Sequence, residues 1–373
     1  MKLHKTALFL KTKHLGDSIV LTSAIAALPP DFVVDVLCFK ESAAIFAMNS
    51  RVRQVLVVPR HLAGFARWRE YWRLLTIMRD QQYDVLAQFS DDWRGAFLAR
   101  MLHTKISVAR QSKKRPQFWS NSFQHIAKLT PTPRPAAEQD VDLLRKIGLF
   151  NEPFAPAYQL QVAVIDKQFV ENWLTTEGIT QTKLIVIHAA ARWKFKGLPN
   201  STWAALIDAL HQRGYSLILS GSASDLAFNK ALIALCKTAP LLTSDFNLGK
   251  TAALLQRADC LLSIDSMAIH MASALQTPVL AMFGPTGEAV WAPWLVAHRI
   301  VALDAVDSPS FACRPCGLDG CAGSKVSQCL VVITPTQILR ALDELFIEIS
   351  EKTERATANL SAKGKSFYGV VSK

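Results

Sequence analysis

Short apolar runs alternate with segments of helical periodicity along most of this 373-residue chain. In the first half the runs are TALFLK, IVLTSAIAAL, VVDVLC, VRQVLVV, YDVLAQF and KISVA. The second half resumes the alternation at LIVIHA, Leu184 to Ala189, and continues through YSLILSG, TSDF, CLLSIDS and PVLAMFG. Between them lie the helical patterns TWAALIDALHQRG, a stretch from Ser224, and TAALLQRA. The strands stand far enough apart for crossover helices, which predicts parallel sheets in an α/β fold.

Two such series imply two domains. A proline-rich stretch at Pro131–Pro135 and the helical pattern AAEQDVDLLRKIGL close the first series, so the boundary is expected within 155–180. The division is 1–160 for one Rossmann-like domain and 161–334 for a second. The pattern TPTQILRALDELFIEIS predicts a helix over 335–350. Residues 351–373, rich in Lys, Ser, Thr and Ala, are expected to be a disordered tail. Two open α/β domains facing across a cleft would bring both sets of strand C-termini to one ligand site.

Composition narrows the class. Half the residues are hydrophobic, yet no run approaches the ~20 apolar residues of a membrane span. The opening MKLHKTALFLKTKHLGD has too short an apolar stretch for a signal peptide. Seven cysteines, an odd number, argue against a secreted disulfide framework. A cytoplasmic chain is expected. Its net charge of +12 is concentrated in one half: residues 1–160 hold 23 Lys and Arg against 13 Asp and Glu. No acidic residue occurs from Trp93 to Ala137. The first half therefore expects an acidic partner: nucleic acid, an anionic membrane face or a phosphorylated substrate. Nucleic acid is the weakest of these, because no interleaved aromatic platform of RNP type, helix-turn-helix or zinc-finger spacing accompanies the charge.

Three segments carry candidate chemistry. In IDSMAIHMASALQTPVLAMFGPT a buried strand ends at Asp265 and a helix opens on Ser266 and Met267. That helix carries His270 in its first turn, and the next strand ends in the turn Gly284 to Thr286. A helix N-terminus at a strand's C-terminal edge holds phosphate through backbone N–H groups and the helix dipole. Asp265 can orient the pocket or bind a hydroxyl, and His270 can donate to a phosphate oxygen. The plainer reading is an ordinary βαβ unit. In HLGDSIVLTSAIAALP, Asp17 follows the first strand and suits either of two tasks, capping the helix or serving as a general base; taken alone, the cap is the commoner. In IHAAARWKFKGLPNSTWAALIDAL, Arg192, Lys194 and Lys196 stand in one loop at a strand's end, a set suited to a pyrophosphate or simply to solvent.

Taken in order, HLGDSIVLTSAIAALP, the RWKFKGLP loop, LSGSASD and DSMAIHMASALQTPVLAMFGPT resemble the bacterial heptosyltransferases, the ADP-heptose:lipopolysaccharide glycosyltransferases of the GT-B fold. The cysteine block CRPCGLDGCAGSKVSQCL and the RWKFK loop are most similar to the heptosyltransferase III branch. The resemblance runs over about residues 6–345. It implies two Rossmann-like domains, with the C-terminal helix returning to the first. It further implies inverting transfer of heptose from ADP-heptose to a hydroxyl of the anionic lipopolysaccharide inner core. By position, Asp17 matches the family's base, Lys196 the lysine on the donor phosphates, and Asp265, Ser266 and His270 the donor signature. Asp225 matches loosely an acidic residue near the nucleoside. Met267 departs from a common Gly, and Ala190 and Ala191 from common hydroxyl residues. Family members of this kind use no divalent metal or other cofactor. The N-terminal domain would take the acceptor, with Lys113, Lys114 and Arg115 beside Phe118 and Trp119 touching acceptor or the inner leaflet. The protein would then be peripheral on the cytoplasmic face of the inner membrane.

Two alternatives stay open: the same fold with another nucleotide sugar or acceptor, and a non-catalytic polyanion-binding protein. The spacing C-x2-C-x4-C-x7-C at Cys313, Cys316, Cys321 and Cys329 fits a structural zinc; reduced thiols are the plainer reading.

Overall fold

The computed structural model describes residues 4–60, 62–303 and 309–367, with side chains through Arg355. Strands β1 (Lys5–Lys11), β2 (Phe32–Cys38), β3 (Val52–Val57), β4 (Val85–Gln88), β5 (Ile106–Arg110) and β6 (His125–Ala127) form one parallel sheet. Strands β7 (Leu184–His188), β8 (Ser216–Leu219), β9 (Leu241–Leu242), β10 (Cys260–Ile264), β11 (Val279–Met282) and β12 (His298–Val301) form the second, also parallel. The helices of the first half are α1 (Leu15–Ala27), α2 (Ala43–Ala47), α3 (Gly64–Gln81), α4 (Trp93–Met101), α5 (Gln117–Ser120) and α6 (Ala136–Lys146). Those of the second are α7 (Val164–Thr176), α8 (Asn200–Gln212), α9 (Leu226–Ile233), α10 (Leu248–Arg257), α11 (Met267–Ala274), α12 (Glu288–Trp291), α13 (Gln328–Val331) and α14 (Pro335–Phe367).

The alternation of apolar runs and helical periods maps onto this series closely. The run IVLTSAIAAL forms the body of α1, the helix expected at Asp17, and is buried along nearly its whole length. A helix apolar on all sides belongs in an interior. Here that interior lies between the two halves, with α1 packed on α6 and on α11 of the second half. The same buried cluster runs from Phe9, Ile19 and Ile25 to Leu254, Ile269 and Met271. The halves thus meet through a continuous apolar contact. TSDF differs, forming a turn after the short β9.

The C-terminal helix corrects an expectation. It does not return to the first half. Ile338, Leu342 and Leu345, spaced to share one helical face, are fully buried with Ile187, Leu206 and Met282 of the second half, and α14 packs on β11, β12 and α8. Arg299–Glu348 and Arg213–Asp343 ion pairs hold it there. The helix also runs past Ser350 to Phe367, where the sequence suggested disorder. Pairs Lys352–Glu348 and Arg355–Glu351 at i,i+4 support this polar extension. The remainder of the expected tail, 368–373, lies outside the described residues.

Candidate active site

Both sheets have the same strand order, β3-β2-β1-β4-β5-β6 and β12-β11-β10-β7-β8-β9. In each, the winding reverses between two central strands, β1 beside β4 and β7 beside β10. Ligands in open α/β sheets collect at the C-terminal edge of such a reversal. Asp17 follows β1, Lys196 follows β7, and Asp265, Ser266 and His270 follow β10, so the main candidates occupy the two reversal points.

Asp17 is the third residue of α1, not its cap; His14 holds the N-cap position and makes no side-chain bond there. The capping task that the sequence favoured for Asp17 is therefore not observed. Its half-buried carboxylate has no hydrogen-bond or ion-pair partner among the described residues. Gly16, one residue earlier, lies against α11: a Cβ there would stand 3.2 Å from Cδ2 of His270 and 3.7 Å from Cα of Met267. The absence of a side chain at Gly16 lets the two helix N-termini approach. His14 adds a second bridge, its Nδ1 lying 2.6 Å from Nη1 of Arg192.

On the facing edge, Lys196 Nζ donates to Asp265 Oδ2 at 2.6 Å, and Thr286 Oγ1 donates to the same oxygen at 2.6 Å. Asp265 is 7% exposed, so this carboxylate fixes the ammonium at the mouth of α11 instead of being solvated itself. Ser266 is the N-cap of α11 and accepts the Ala268 N–H at 3.2 Å, which occupies one of the helix donors. The structure gives Gly284 a packing role. A Cβ there would fall 2.5 Å from Leu330, and its carbonyl accepts from Arg314 Nε at 2.7 Å. Asp225 closes a capping box with Ser222, whose N–H it accepts at 2.8 Å. Arg192 and Lys194 are exposed on the rim.

His270 links the two edges. It is 3% exposed, its Nδ1 has no partner, and Tyr158 and Trp291 meet it edge-on, each at 6.0 Å between centroids. Burial holds its pKa below the ordinary 6.5, with Asp265 and Asp17 opposing that and Lys196 adding to it. Half-buried His188, 3.0 Å from Ser220 Oγ through Nδ1, has its pKa lowered too, mainly by removal from solvent. Both are neutral in the fold near neutral pH. The unfolded chain takes up their protons from about 6.5 downward. Their contribution to stability is therefore intact above that value and is lost as the pH falls through it toward the lower folded values. The thermal unfolding midpoint is expected to drop between about pH 7.5 and about pH 5, and less steeply in a His188→Asn, His270→Asn double variant. Equal slopes would mean that neither imidazole carries the effect.

The remaining candidates lie further out. Lys113 and Lys114 are exposed on the loop after β5, at the same sheet edge as Asp17. Arg115 reaches the Asp91 carbonyl and lies over the Trp93 ring at 5.7 Å. Asp92 caps α4, accepting the Gly95 N–H at 3.2 Å. Among the described residues no three His, Cys, Asp or Glu stand together as a metal would require. This includes the cysteine block, where Cys313 and Cys321 are exposed while Cys329 is buried. Cys316 is half-buried; burial, and after it the nearness of Cys321, Cys316 and Cys313, raises the pKa of Cys329. The block also buttresses the Gly284–Thr286 turn. Arg314 bonds Gly284 and Glu288, and Gly317 N–H donates to the Pro285 carbonyl at 2.8 Å. Arg314 escaped sequence reasoning, as did Tyr158, Trp291 and His14. Their partners lie far along the chain, and no spacing announces them.

Residues 71–316 match the model of glycosyltransferase family 9 (heptosyltransferase). The chain is 28% identical over 291 residues to lipopolysaccharide heptosyltransferase 3 of Escherichia coli K12, covering 76% of this chain and 83% of that one. Among solved structures it is similar to a family 9 glycosyl transferase from Veillonella parvula, with TM-score 0.77 and 20% identity over 93% of this chain and 99% of that one. It is also similar to an E. coli heptosyltransferase solved with ADP, with TM-score 0.63 and 18% identity over 91% and 97% of the two chains.

Proposed function

The chain belongs to glycosyltransferase family 9, the heptosyltransferases, and from that footing we propose that it moves heptose from ADP-heptose to a hydroxyl of the lipopolysaccharide inner core, with inversion. In this reading the acceptor oxygen attacks the anomeric carbon as the bond to the ADP phosphate breaks. Asp17 takes the hydroxyl proton, and the ADP oxygen leaves with the bonding pair. Lys196, the N-terminus of α11 and the rim cations Arg192 and Lys194 stabilise the charge that develops on the diphosphate. Asp265 and Thr286 act through Lys196 by holding it, Ser266 shapes the helix start, and neutral His270 offers one ring N–H to a phosphate oxygen. With these cations in place no divalent metal or other cofactor is required.

One observation supports this reading above the others. A Cβ at Gly16, the residue before Asp17, would stand 3.2 Å from the His270 ring, and Asp265 holds Lys196 at 2.6 Å beside the start of the same helix, so a free carboxylate and a held ammonium flank one helix N-terminus. The E. coli neighbour's bound ADP and the lipopolysaccharide substrate in the relatives' names support the choice of donor and acceptor. We assign the acceptor to the basic first half, with Lys113, Lys114 and Arg115 meeting its anionic groups at the cytoplasmic face of the inner membrane. That no described helix is long and apolar enough to cross a membrane is compatible with a peripheral enzyme.

Calorimetric titration with ADP, UDP and GDP, without added metal, tests the donor. Selective binding of ADP is the expected result. Preference for UDP or GDP would keep the fold and replace the sugar donor. Binding of none by folded protein would favour the non-catalytic, polyanion-binding alternative.

A further inference from the structure

The N-terminal half of α3 covers almost nothing. Of its 18 residues only Leu74, Leu75 and Met78 are buried, yet its solvent side carries Phe65, Trp68 and Trp72, exposed by 72, 55 and 47%. Large aromatic side chains that pack on no core need an explanation when they cluster. These do cluster: Phe65 stacks on Trp68 at 5.5 Å, and Trp68 meets Trp72 at 5.8 Å. Across from them stand Trp93 and Phe97 on α4 and Phe118 on α5, with Trp93 and Phe118 at 6.4 Å. Between α3 and α4 lies an open groove of about 480 Å³ with mainly apolar walls.

Cations frame this surface. Arg67 and Arg69 are exposed on α3. Arg100 lies 4.0 Å from the Phe118 ring, and Arg115 lies 5.7 Å from that of Trp93. The stretch from Trp93 through Ala137 contains no Asp or Glu, and the nearby Glu70 and Asp92 are paired with Arg73 and Arg94. Aromatic rings interleaved with arginine on one face of a helix that does not span a membrane are the features of an interfacial segment. The rings enter the headgroup zone and the guanidinium groups meet lipid phosphate.

We propose that the face formed by α3, α4 and α5 docks this enzyme on an anionic lipid bilayer. A second copy of the chain is a poorer occupant, because a two-fold contact would set the same arginines against each other. The patch also adjoins the cleft. Asp92, which caps α4, accepts from Thr12 at the end of β1, and Ser112 and Arg115 bind Asp91. Resting on the proposed reaction with a lipid-linked acceptor, docking here would set the first half's catalytic edge beside the headgroups from which that acceptor's sugars project.

Co-sedimentation of the full chain with vesicles, of phosphatidylcholine alone or with added phosphatidylglycerol, tests the proposal. Wild type is expected to bind the mixed vesicles, with binding reduced by salt. The variants Trp68→Ser, Trp72→Ser, Phe97→Ser and Arg67→Glu, Arg69→Glu are each expected to partition roughly tenfold more weakly or worse. Both should keep the wild-type unfolding midpoint and turnover on an acyl-free core acceptor, since none of these residues lies in the proposed catalytic machinery. No vesicle binding by wild type, or binding unchanged in the variants, would overturn the docking face. So would a dimer that dissociates on the Trp substitutions, because the face would then be a self-contact. Vesicle binding that follows the expected pattern, with no turnover on any heptose acceptor, would retain the docking face and remove the transferase assignment.

Discussion

Asp17→Ala is expected to lower turnover by about 10²–10⁴-fold, the usual span for loss of a positioned base, while ADP affinity stays within about twofold. The expectation follows from where Asp17 stands. Its carboxylate holds no helix donor and no cation among the described residues, so removing it breaks no structural bond. Its charge reaches His270 but is not part of the Lys196–Asp265–Thr286 cluster on the donor side. Turnover under saturating substrates and calorimetry with ADP separate the two effects. If ADP binding fell as far as turnover, Asp17 would be holding the cleft together, not accepting a proton. An unchanged rate would move the base elsewhere.

Lys196→Ala is expected to act on both quantities. One charge-assisted bond to a diphosphate, at about 1.5–3 kcal/mol, corresponds to roughly 10–150-fold in ADP affinity. Turnover is expected to fall by about 10²-fold or more, because the charge on the leaving diphosphate grows in the transition state. The substitution also leaves Asp265 with Thr286 as its remaining side-chain partner. An anion would then remain at the mouth of α11, where the diphosphate must sit. Lys196→Met keeps the side chain's bulk, and Asp265→Asn, Lys196→Met relieves the uncompensated carboxylate. If the double variant recovered ADP binding, repulsion by Asp265 would account for much of the single variant's loss. If Lys196→Ala changed neither binding nor rate, the phosphates would lie elsewhere in the cleft.

Much of the site was legible residue by residue, for a local reason. A strand, a polar turn and a helix start are encoded within a few consecutive positions, so Ser266 as N-cap and Asp265 at a strand's end follow from spacing alone. Other assignments depended on contacts the spacing does not carry. Asp17 read first as a cap, because Asp is a good cap anywhere a helix begins; only the backbone places it two residues inside the first turn. Gly284 and Asp225 were read as ligand contacts, and the structure gives the first a packing task and the second a capping task that the spacing did not announce. The C-terminal helix was assigned to the wrong half because an apolar stripe states that a face is buried, not against what.

The chain by itself determined the α/β class, the two parallel series, the strand–helix junctions and the concentration of positive charge in the first half. These rest on period, local caps and composition, which are properties of neighbouring residues. Tertiary structure decided which junctions meet. It brought Gly16 against His270, His14 against Arg192, and the ring of Tyr158 against that of His270. It also left the aromatic face of α3 without a covering element. Such pairings join residues more than a hundred positions apart, and they form because α1 of the first half packs on α11 of the second, a consequence of chain topology and core packing that no local pattern specifies.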